Sequence, residues 1–224
     1  MFLTETWLDE TRLFGICDSL QFGHHHGVLK ITRGGGLALF WKKNFDLHVE
    51  SSPQNHIDAL INKGKDNVCR FTSFYGVPET HLRFESWDLL RSLHRQFAVP
   101  WLYAGNFNEL LKSHEKLGGC LRPYGQMERF REAPDECGLL DLGFVSNKFT
   151  WSKNYPNGGI VWKRLDRAVS TAQWFDCFLV TKVHTLACTS SDHLSPFCSK
   201  VLLKRLKDLG DLSSCGSKIM VVMI

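Results

Sequence analysis

Two asparagines follow a buried, strand-like run in the segment WLYAGNFNELL, which spans residues 101–111. Asn106 and Asn108 are two positions apart, so on an extended chain both side chains point to the same side. Amides donate and accept hydrogen bonds, but they cannot take up a proton at neutral pH. A loop that performs acid–base chemistry is expected to carry a carboxylate here. The pair therefore raises the question of whether an amide stands in the position of an acid.

Three further patterns contain groups that can move protons or bind cations. They are the acids and the histidine of the motifs FLTET, KRLDRA and SSDHLSPF: Glu5, Asp166, Asp192 and His193. Taken alone, each pattern has an ordinary structural explanation: a solvated surface acid, a strand residue that forms a salt bridge with neighbouring arginines, and a loop pair. The two asparagines likewise fit a turn in which their amides cap backbone groups. No single pattern is specific enough to assign a function.

The composition is typical of an ordinary globular protein. Of the 224 residues, 43% are hydrophobic and 22% charged, with a mean hydropathy of −0.17. No stretch approaches 18 apolar residues, and no basic segment followed by an apolar one begins the chain, so neither a membrane span nor a secretory signal is expected. The eight cysteines include no C-x-x-C pair, which favours buried thiols in a reducing compartment over a zinc site or a disulfide scaffold.

The location and the partners follow from these properties as expectations. We expect an intracellular protein, nuclear or cytoplasmic, with no membrane partner. The net charge of +4 and the isoelectric point near 8.6 are compatible with an anionic partner but do not require one.

The apolar periodicity predicts an α/β domain over residues 1–203, followed by an irregular tail at 204–224. Helices are predicted at 8–17, at 80–97 with Thr80 as N-cap, and at 126–136, interrupted by Pro134. The predicted strands are 37–41, 47–52, 57–62, 68–75, 99–105, 139–142, 149–152, 161–169, 179–184 and 194–203, with residues 1–7 as the end of an earlier strand. Many short strands with few helices favour a sandwich of two sheets over an alternating Rossmann arrangement.

Two other groups of residues invite a ligand interpretation. The three histidines at 24–26 alternate sides on an extended chain and converge poorly on a metal ion, so a solvated polar turn is expected. Two groups that contain basic residues either line a phosphate groove or are strand ends with solvated charges. They are Trp41 with Lys42 and Lys43, and Arg164 with Arg167.

The order of the patterns is more specific than any one of them. In succession the chain contains FLTET, GGLALFW, YGVPETHLRFESWDLL, PWLYAGNFNELL, EKLGG, CGLLDLGF, FTW, RLDRA and SDHLSPF. This series resembles the endonuclease/exonuclease/phosphatase superfamily, which has the DNase I-like fold. It most closely resembles the endonuclease domain of plant LINE-type (non-LTR) retrotransposons. The resemblance covers about residues 2–202.

The resemblance implies a four-layer α/β sandwich, with two mixed sheets flanked by helices, and hydrolysis of DNA phosphodiesters with Mg²⁺ or Mn²⁺. A hard cation with oxygen ligands suits that reaction, because charge develops on the phosphate oxygens and on the leaving alkoxide. By resemblance Glu5 is the metal ligand, assisted by Asp192. His193 would contact the scissile phosphate, and Asp166 would orient its imidazole and stabilise the protonated form.

The same resemblance gives roles to two more residues and exposes two departures. Tyr75 would place its hydroxyl by the phosphate, and Asn108 would orient the attacking water or a neighbouring side chain. Asn106, however, stands where the family has aspartate. The chain also starts after the family's first strand, so an N-terminally truncated domain is expected.

Loss of the acid is expected to remove about 10²- to 10⁴-fold in rate. We therefore expect a weakly active or inactive copy of a Mg²⁺-dependent DNA-nicking domain. The alternatives are a non-catalytic nucleic-acid-binding domain and a hydrolase of small phosphoesters.

Overall fold

A computed structural model describes residues 1–6, 8–29, 36–178, 181–187 and 197–202, and the tail predicted at 204–224 lies outside these ranges. The elements in chain order are β1 (Phe2–Thr4), α1 (Glu10–Ser19), β2 (His24–Val28), β3 (Leu37–Trp41), β4 (Leu47–Ser51), β5 (His56–Ile61), β6 (Cys69–Tyr75), α2 (Phe84–His94), β7 (Trp101–Asn106), β8 (Lys116–Leu117), α3 (Tyr124–Glu136), β9 (Leu139–Asp141), β10 (Val145–Ser146), β11 (Trp151–Asn154), β12 (Ile160–Lys163), β13 (Asp166–Thr171), α4 (Ala172–Cys177), β14 (Lys182–Ala187) and β15 (Phe197–Leu202). Within these ranges no helix has the length and apolar character that crossing a membrane requires.

A six-stranded sheet forms the centre of the domain, in the order β4-β5-β6-β7-β13-β9. Neighbouring strands run antiparallel, except that β6 and β7 are parallel. Every residue of β5, β6 and β7 is buried, because other layers cover both faces of these strands. A near-continuous apolar run, such as WLYA at the start of β7, is what a strand buried on both faces requires.

A second β layer lies over one face of the central sheet. It contains two three-stranded sheets, in the orders β1-β3-β2 and β10-β14-β15, while β11-β12-β8 form a separate small sheet. One core unites Phe2 of β1, Leu37 of β3 and Val183 of β14 with central-sheet residues such as Phe71. The rings of Phe2 and Phe71 meet edge to face, with centroids 5.8 Å apart. The interface between the two β layers is therefore a continuous apolar core.

Helices cover the two outer surfaces. On the far face of the central sheet, Trp87 of α2 stacks on Phe130 of α3 with ring centroids 4.6 Å apart, and both join Tyr103 in a second core. Through Leu13 and Cys17, α1 packs on the outer face of the β1-β3-β2 sheet. The sequence of layers, helix, sheet, sheet and helix, confirms the predicted α/β sandwich.

The three histidines at 24–26 belong to a strand and not to the polar turn that the sequence predicted. They begin β2, which pairs antiparallel with β3. His24 stacks on Trp41 and His25 on Phe40, with ring centroids 5.5 and 6.1 Å apart. These contacts between directly opposite residues stabilise the extended conformation.

The predicted strand 161–169 is in fact two strands in different sheets, β12 and β13. Between them, the backbone N–H groups of Leu165 and Asp166 both donate to the hydroxyl of Thr150, at 2.9 and 3.0 Å. The N–H group of Arg164 donates to the carbonyl of Glu115. Because these bonds take the place of ladder bonds, the chain leaves one sheet and enters another.

The helices differ from the prediction at their ends. Thr80 does not cap a helix: it begins a 3₁₀ turn, and α2 starts only at Phe84, without a side-chain cap. Phe84 is 54% exposed, whereas Trp87, Leu90 and Leu93 form the buried face of the helix. Pro134 does not interrupt α3, which continues to Glu136, because this proline is buried in the core near the end of the helix.

A fully buried ion pair stabilises the central sheet. Arg70 of β6 donates from Nε and Nη2 to the two carboxylate oxygens of Asp58 on β5, each at 2.8 Å. Its Nη1 donates to the carbonyl of Leu93 in α2 at 2.6 Å. The indole of Trp101 lies 4.7 Å from the guanidinium. Removing one partner of such a pair leaves an uncompensated buried charge.

Replacing Arg70 with methionine is expected to lower the free energy of unfolding by about 3–5 kcal/mol, because Asp58 then lacks its countercharge. Urea denaturation followed by circular dichroism measures the loss. The double variant Arg70→Met/Asp58→Leu is expected to lose less than the single variant, since no lone charge remains. The control Lys63→Met, which breaks an exposed pair with Glu50, should cost under about 1 kcal/mol. Equal losses for Arg70→Met and Lys63→Met would contradict the prediction.

Candidate functional site

Three neighbouring strands of the central sheet carry polar residues at the same level. Tyr75 is the last residue of β6, Asn106 the last of β7 and Asp166 the first of β13. In the parallel pair, Tyr75 lies beside Asn106, and in the antiparallel pair, Asn106 lies beside Asp166. The register therefore brings these three residues together at one edge of the sheet, and we name them the polar row.

Two glycines allow the backbone to pack closely around the polar row. A Cβ atom at Gly105 would lie 1.8 Å from the carbonyl oxygen of Phe74, and one at Gly76 would lie 2.7 Å from the carbonyl oxygen of Phe107. Neither distance is compatible with a side chain. Glycine is therefore required on both sides of the row.

Glu5 reaches the polar row from the second β layer. It directly follows β1, and its Oε1 accepts a hydrogen bond of 3.0 Å from Asn106 Nδ2, across 101 positions of sequence. Its φ of 52° is in the left-handed region, which is uncommon for glutamate. The next residue, Thr6, donates its N–H to the carbonyl of Gly36 at 3.1 Å and so holds the turn. Tertiary contacts thus fix an unfavourable backbone conformation, as is typical of functional sites.

The amide of Asn106 has one orientation that satisfies its neighbours. Its Oδ1 accepts from the backbone N–H of Asn108 at 2.8 Å, so Nδ2 faces Glu5. An aspartate here would accept from Asn108 in the same way, but it could not donate to Glu5. It would instead bring two carboxylates to about 3 Å from each other.

Asn108 does not point to the same place as Asn106, contrary to the expectation from strand spacing. It lies beyond the end of β7 with a φ of 54°, a conformation that asparagine tolerates better than most residues. Its Nδ2 donates to the carbonyl of Gly76 at 2.6 Å, and its side chain is hydrogen-bonded to the hydroxyl of Tyr75. Asn108 therefore links the ends of β6 and β7, as the turn interpretation predicted.

Tyr75 is an uncharged hydrogen-bond donor in the polar row. Burial raises the pKa of its phenol well above the usual value of 10.0, and the negative charge of Glu5 raises it further, whereas the hydrogen bond with Asn108 opposes the shift. The phenol therefore keeps its proton at neutral pH. It can donate to an anionic oxygen, and its side chain is also hydrogen-bonded to Glu5.

Arg164 and Arg167 do not line a phosphate groove, and their salt bridges are made with acids other than Asp166. Arg167 is fully buried, with Nη2 at 2.8 Å from Glu115 Oε2 and Nη1 at 2.6 Å from Asp141 Oδ2. Arg164 Nη2 lies 3.3 Å from Asp141 Oδ1. Successive residues of a strand point to opposite faces, so Arg167 and Asp166 face apart. Both interpretations of these two arginines, a phosphate groove and strand ends with solvated charges, are therefore wrong, because both side chains are buried in ion pairs.

Solved structures of DNA-processing enzymes share the fold of this chain. The endonuclease domain of TRAS1, a telomere-specific non-LTR retrotransposon, matches with a TM-score of 0.58 and 13% identity over 80% of this chain and 86% of that chain. The 3′ phosphatase NExo from Neisseria, bound to a product DNA hairpin, matches with 0.59 and 15% over 88% and 84%. An AP endonuclease from Archaeoglobus fulgidus matches with 0.54 and 12% over 77% and 76%. This chain has the DNase I-like fold.

The comparisons fix the fold and leave the narrower relationship as a prediction. No protein-family model matches the sequence, and no curated protein matches it. Of the three solved proteins named above, two are endonucleases and one is a 3′ phosphatase bound to product DNA. A specific relationship to plant elements stays a prediction from the motifs.

The DNase I-like fold brings together five of the seven predicted site residues. They meet at one end of the two β layers: Glu5, Tyr75, Asn106, Asn108 and Asp166. Asp192 and His193 lie outside the described residues, and their roles stay predictions.

Glu109, which directly follows Asn108, was not identified from the sequence. Its buried carboxylate accepts from Arg83 Nη1 at 2.8 Å and from Arg122 Nε and Nη2, each at 2.7 Å. Burial raises the pKa of Glu109, and the charge of Arg83 opposes the shift. Arg83 also donates to the carbonyl of Pro78 at 2.8 Å, which joins the loops that follow β6 and β7. The sequence feature that could have identified Glu109 is an acid next to an apolar run, because a buried acid requires cations that pair with it.

The groups around Glu5 fit a hard cation only in part. Mg²⁺ binds proteins through one or two carboxylates and keeps several waters, and Glu5 supplies one carboxylate. Asn106 points an N–H donor at that carboxylate, where a second carboxylate would favour a cation. Among the residues that the structure describes, no group of three His, Cys, Asp or Glu side chains is arranged to hold a metal ion. Glu5 is therefore a ligand candidate that needs further oxygen donors.

Replacing Asn106 with aspartate is expected to destabilise the cation-free protein at neutral pH, because two adjacent carboxylates repel each other and one of them should titrate with a raised pKa. An acid whose pKa is higher in the folded state than in the unfolded state binds more protons when folded. The loss of stability should therefore be small near about pH 4 and should grow as pH rises through the raised pKa. Urea denaturation across this range measures it.

Added Mg²⁺ is expected to stabilise this variant more than the wild type, since a cation between the two carboxylates removes their repulsion. Asn157→Asp is the matched control. Asn157 Oδ1 also accepts the N–H group two residues later, from Gly159 at 3.1 Å, in an exposed turn. An Asn106→Asp variant as stable as the wild type at neutral pH without Mg²⁺ would contradict the position of Glu5 beside residue 106.

Proposed function

We propose that this chain is a retroelement-type DNA endonuclease domain in which Mg²⁺-dependent hydrolysis of phosphodiesters is slowed by Asn106. The observation that carries the proposal is the 3.0 Å hydrogen bond from Asn106 to Glu5. It gives the candidate metal ligand a neutral donor in place of a second carboxylate. The motifs around both residues resemble those of plant LINE-type endonucleases, and the proposed location is intracellular, nuclear or cytoplasmic.

DNA is the proposed substrate for two reasons. The NExo phosphatase, which has the same fold, is bound to a product DNA hairpin, and the TRAS1 domain is the endonuclease of a retrotransposon. The net charge of +4 favours association with an anionic polymer. Both observations support a DNA phosphodiester as the bond that is hydrolysed.

The side chains of the polar row would act on one phosphate group. The uncharged hydroxyl of Tyr75 would donate to a non-bridging oxygen, on which negative charge increases in the transition state. Asn108 holds that hydroxyl in position. His193 would contact the same phosphate, and Asp166 would orient its imidazole and stabilise the charged form. Each of these actions lowers the cost of charge on the phosphate.

Asn106 would slow the reaction in two ways. An amide cannot accept a proton from the attacking water at neutral pH, which removes about 10²- to 10⁴-fold of general-base assistance. It also occupies Glu5 Oε1 with an N–H donor, which makes Glu5 a poorer ligand. A Mg²⁺ ion held by Glu5 and Asp192 would neutralise charge on the phosphate and on the leaving oxygen.

Non-catalytic binding of nucleic acid is the second candidate function, and the same hydrogen bond favours it. Because Asn106 satisfies Glu5 without a cation, the site can keep its structure without metal. A surface that binds phosphates could then persist while hydrolysis is lost.

Plasmid nicking with and without Mg²⁺ tests the proposal. Asn106→Asp is expected to raise the nicking rate by about 10²-fold or more, since it restores a proton acceptor beside Glu5. Glu5→Gln in the Asn106→Asp background is expected to abolish the Mg²⁺-dependent activity while duplex binding persists. Asn157→Asp is the control and should leave nicking unchanged.

The outcomes separate the candidates. No gain in nicking from Asn106→Asp would show that GNFN does not align with the acid-bearing loop of the family. Salt-dependent DNA binding without nicking in every variant would favour the non-catalytic function. Release of phosphate from a small ester, without nicking, would favour a small-phosphoester hydrolase.

The pairing of Asp166 with His193 is tested by a double-mutant cycle in the Asn106→Asp background. Asp166 is proposed to act through the imidazole, so Asp166→Asn should have little effect on nicking once His193 is alanine. The double variant is therefore expected to nick as slowly as His193→Ala alone. Fully additive losses would show that the two residues act independently.

A further inference from the structure

Two lysines lie directly opposite each other on the small β11-β12-β8 sheet. Lys116 of β8 pairs with Lys163 of β12, and Lys163 pairs in turn with Trp151 of β11. Residues paired across antiparallel strands point to the same face, so the two ammonium groups share one side of the sheet with the indole ring. Like charges in this position repel each other and destabilise the sheet unless an anion binds between them.

The contacts of the two lysines do not neutralise them. Lys163 Nζ lies 4.6 Å from the ring centre of Trp151, and Lys116 Nζ donates to the carbonyl of Cys120. An indole face and a carbonyl attract a cation, but neither carries a full negative charge. The positive charge of the pair therefore remains.

Two arginines add to this positive charge. Arg83 and Arg122 bind the carboxylate of Glu109 from both sides, and Glu109 in turn interacts with Lys163. We name Lys116, Lys163, Arg83 and Arg122 the basic cluster. Two carboxylates oppose these four cations, since Glu109 interacts with Arg83, Arg122 and Lys163, and Glu79 interacts with Arg83. Four positive and two negative charges leave the group with a net charge of two.

The electrostatic environment of Lys163 agrees with this count. Burial lowers the pKa of Lys163, and the neighbouring charges of Lys116 and Arg83 lower it further, against the opposing effect of Glu109. An anion placed among these groups would favour the protonated lysine. Glu109 directly follows Asn108, whose side chain is hydrogen-bonded to Tyr75, and Lys163 lies three residues before Asp166. The chain therefore connects the basic cluster to the polar row at two points.

We propose that Lys116 and Lys163, supported by Arg83 and Arg122, bind a backbone phosphate of the nucleic-acid strand whose neighbouring phosphate lies at the polar row. The proposal rests on the proposed function, because it assumes a polymeric phosphodiester as the ligand. Lysines bind phosphate as point charges, so the pair has the chemistry of a phosphate site. The donors of Arg83 and Arg122 are engaged by Glu109 and by the carbonyl of Pro78, so these arginines contribute positive charge and not free donors. The site fixes the register of the strand and does not read its sequence.

The salt dependence of duplex binding tests this proposal and needs no turnover. A protein that neutralises phosphates releases the counterions bound to them, so each lost contact lowers the slope of log affinity against log salt by about 0.9 for duplex DNA. Lys116→Met and Lys163→Met are each expected to lower the slope by about that amount, measured by fluorescence anisotropy of a labelled duplex. Their urea midpoints should equal or exceed that of the wild type, because repulsion is removed.

Lys63→Met is the matched control. Lys63 is an exposed lysine that pairs with Glu50 at 2.7 Å. It lies beyond Ile61, which pairs with Cys69 at the end of β6 opposite to Tyr75. This variant should keep the wild-type slope.

Each outcome decides a separate question. Unchanged slopes in both lysine variants, with salt-dependent binding by the wild type, would overturn the basic cluster and leave the proposed function standing. A wild type with no salt-dependent affinity for DNA would overturn both. Displacement of the duplex by a mononucleotide at an equal concentration of phosphate groups would show a site for free phosphate and would overturn the strand-binding proposal.

Discussion

The parallel pairing of β6 with β7 places Tyr75 beside Asn106, and the other described groups of the candidate site are arranged around these two residues. At one end of this pair Arg70 lies beside Trp101, and the buried bond from Arg70 to Asp58 anchors the strands there. At the other end, the missing side chain of Gly105 lets the two backbones approach closely. Because the two strands are held at both ends, their register cannot shift, and Tyr75 and Asn106 must lie side by side.

The fold was more predictable from the sequence than the directions of the site side chains. The order of short motifs predicted a DNase I-like sandwich, because those motifs fall at strand ends that the fold brings together. Strand spacing could not predict the direction of Asn108, since its left-handed backbone depends on a contact with Gly76 after a different strand. Likewise, nothing local to residues 161–169 shows that the hydroxyl of Thr150 divides that run into two strands. These features depend on contacts between distant parts of the chain.

The charged residues near the site fall into two groups that composition alone does not distinguish. Most of the arginines here have their donors occupied by buried acids. Arg167 is bound to Glu115 and Asp141, whereas Lys163 lies against an aromatic ring. A guanidinium with fixed partners stabilises the fold, because breaking the pair leaves a buried charge. Lysines that make no salt bridge remain available to anions.

The break between β12 and β13 has a mechanical consequence. Only Arg164 and Leu165 separate Lys163, on the small sheet, from Asp166 in the polar row. The Thr150 hydroxyl holds the amides of Leu165 and Asp166, so this short link is a stiff coupling and not a slack hinge. A shift of the small sheet would therefore also shift Asp166. The position of the Asp166 carboxylate is tied to the position of the small sheet.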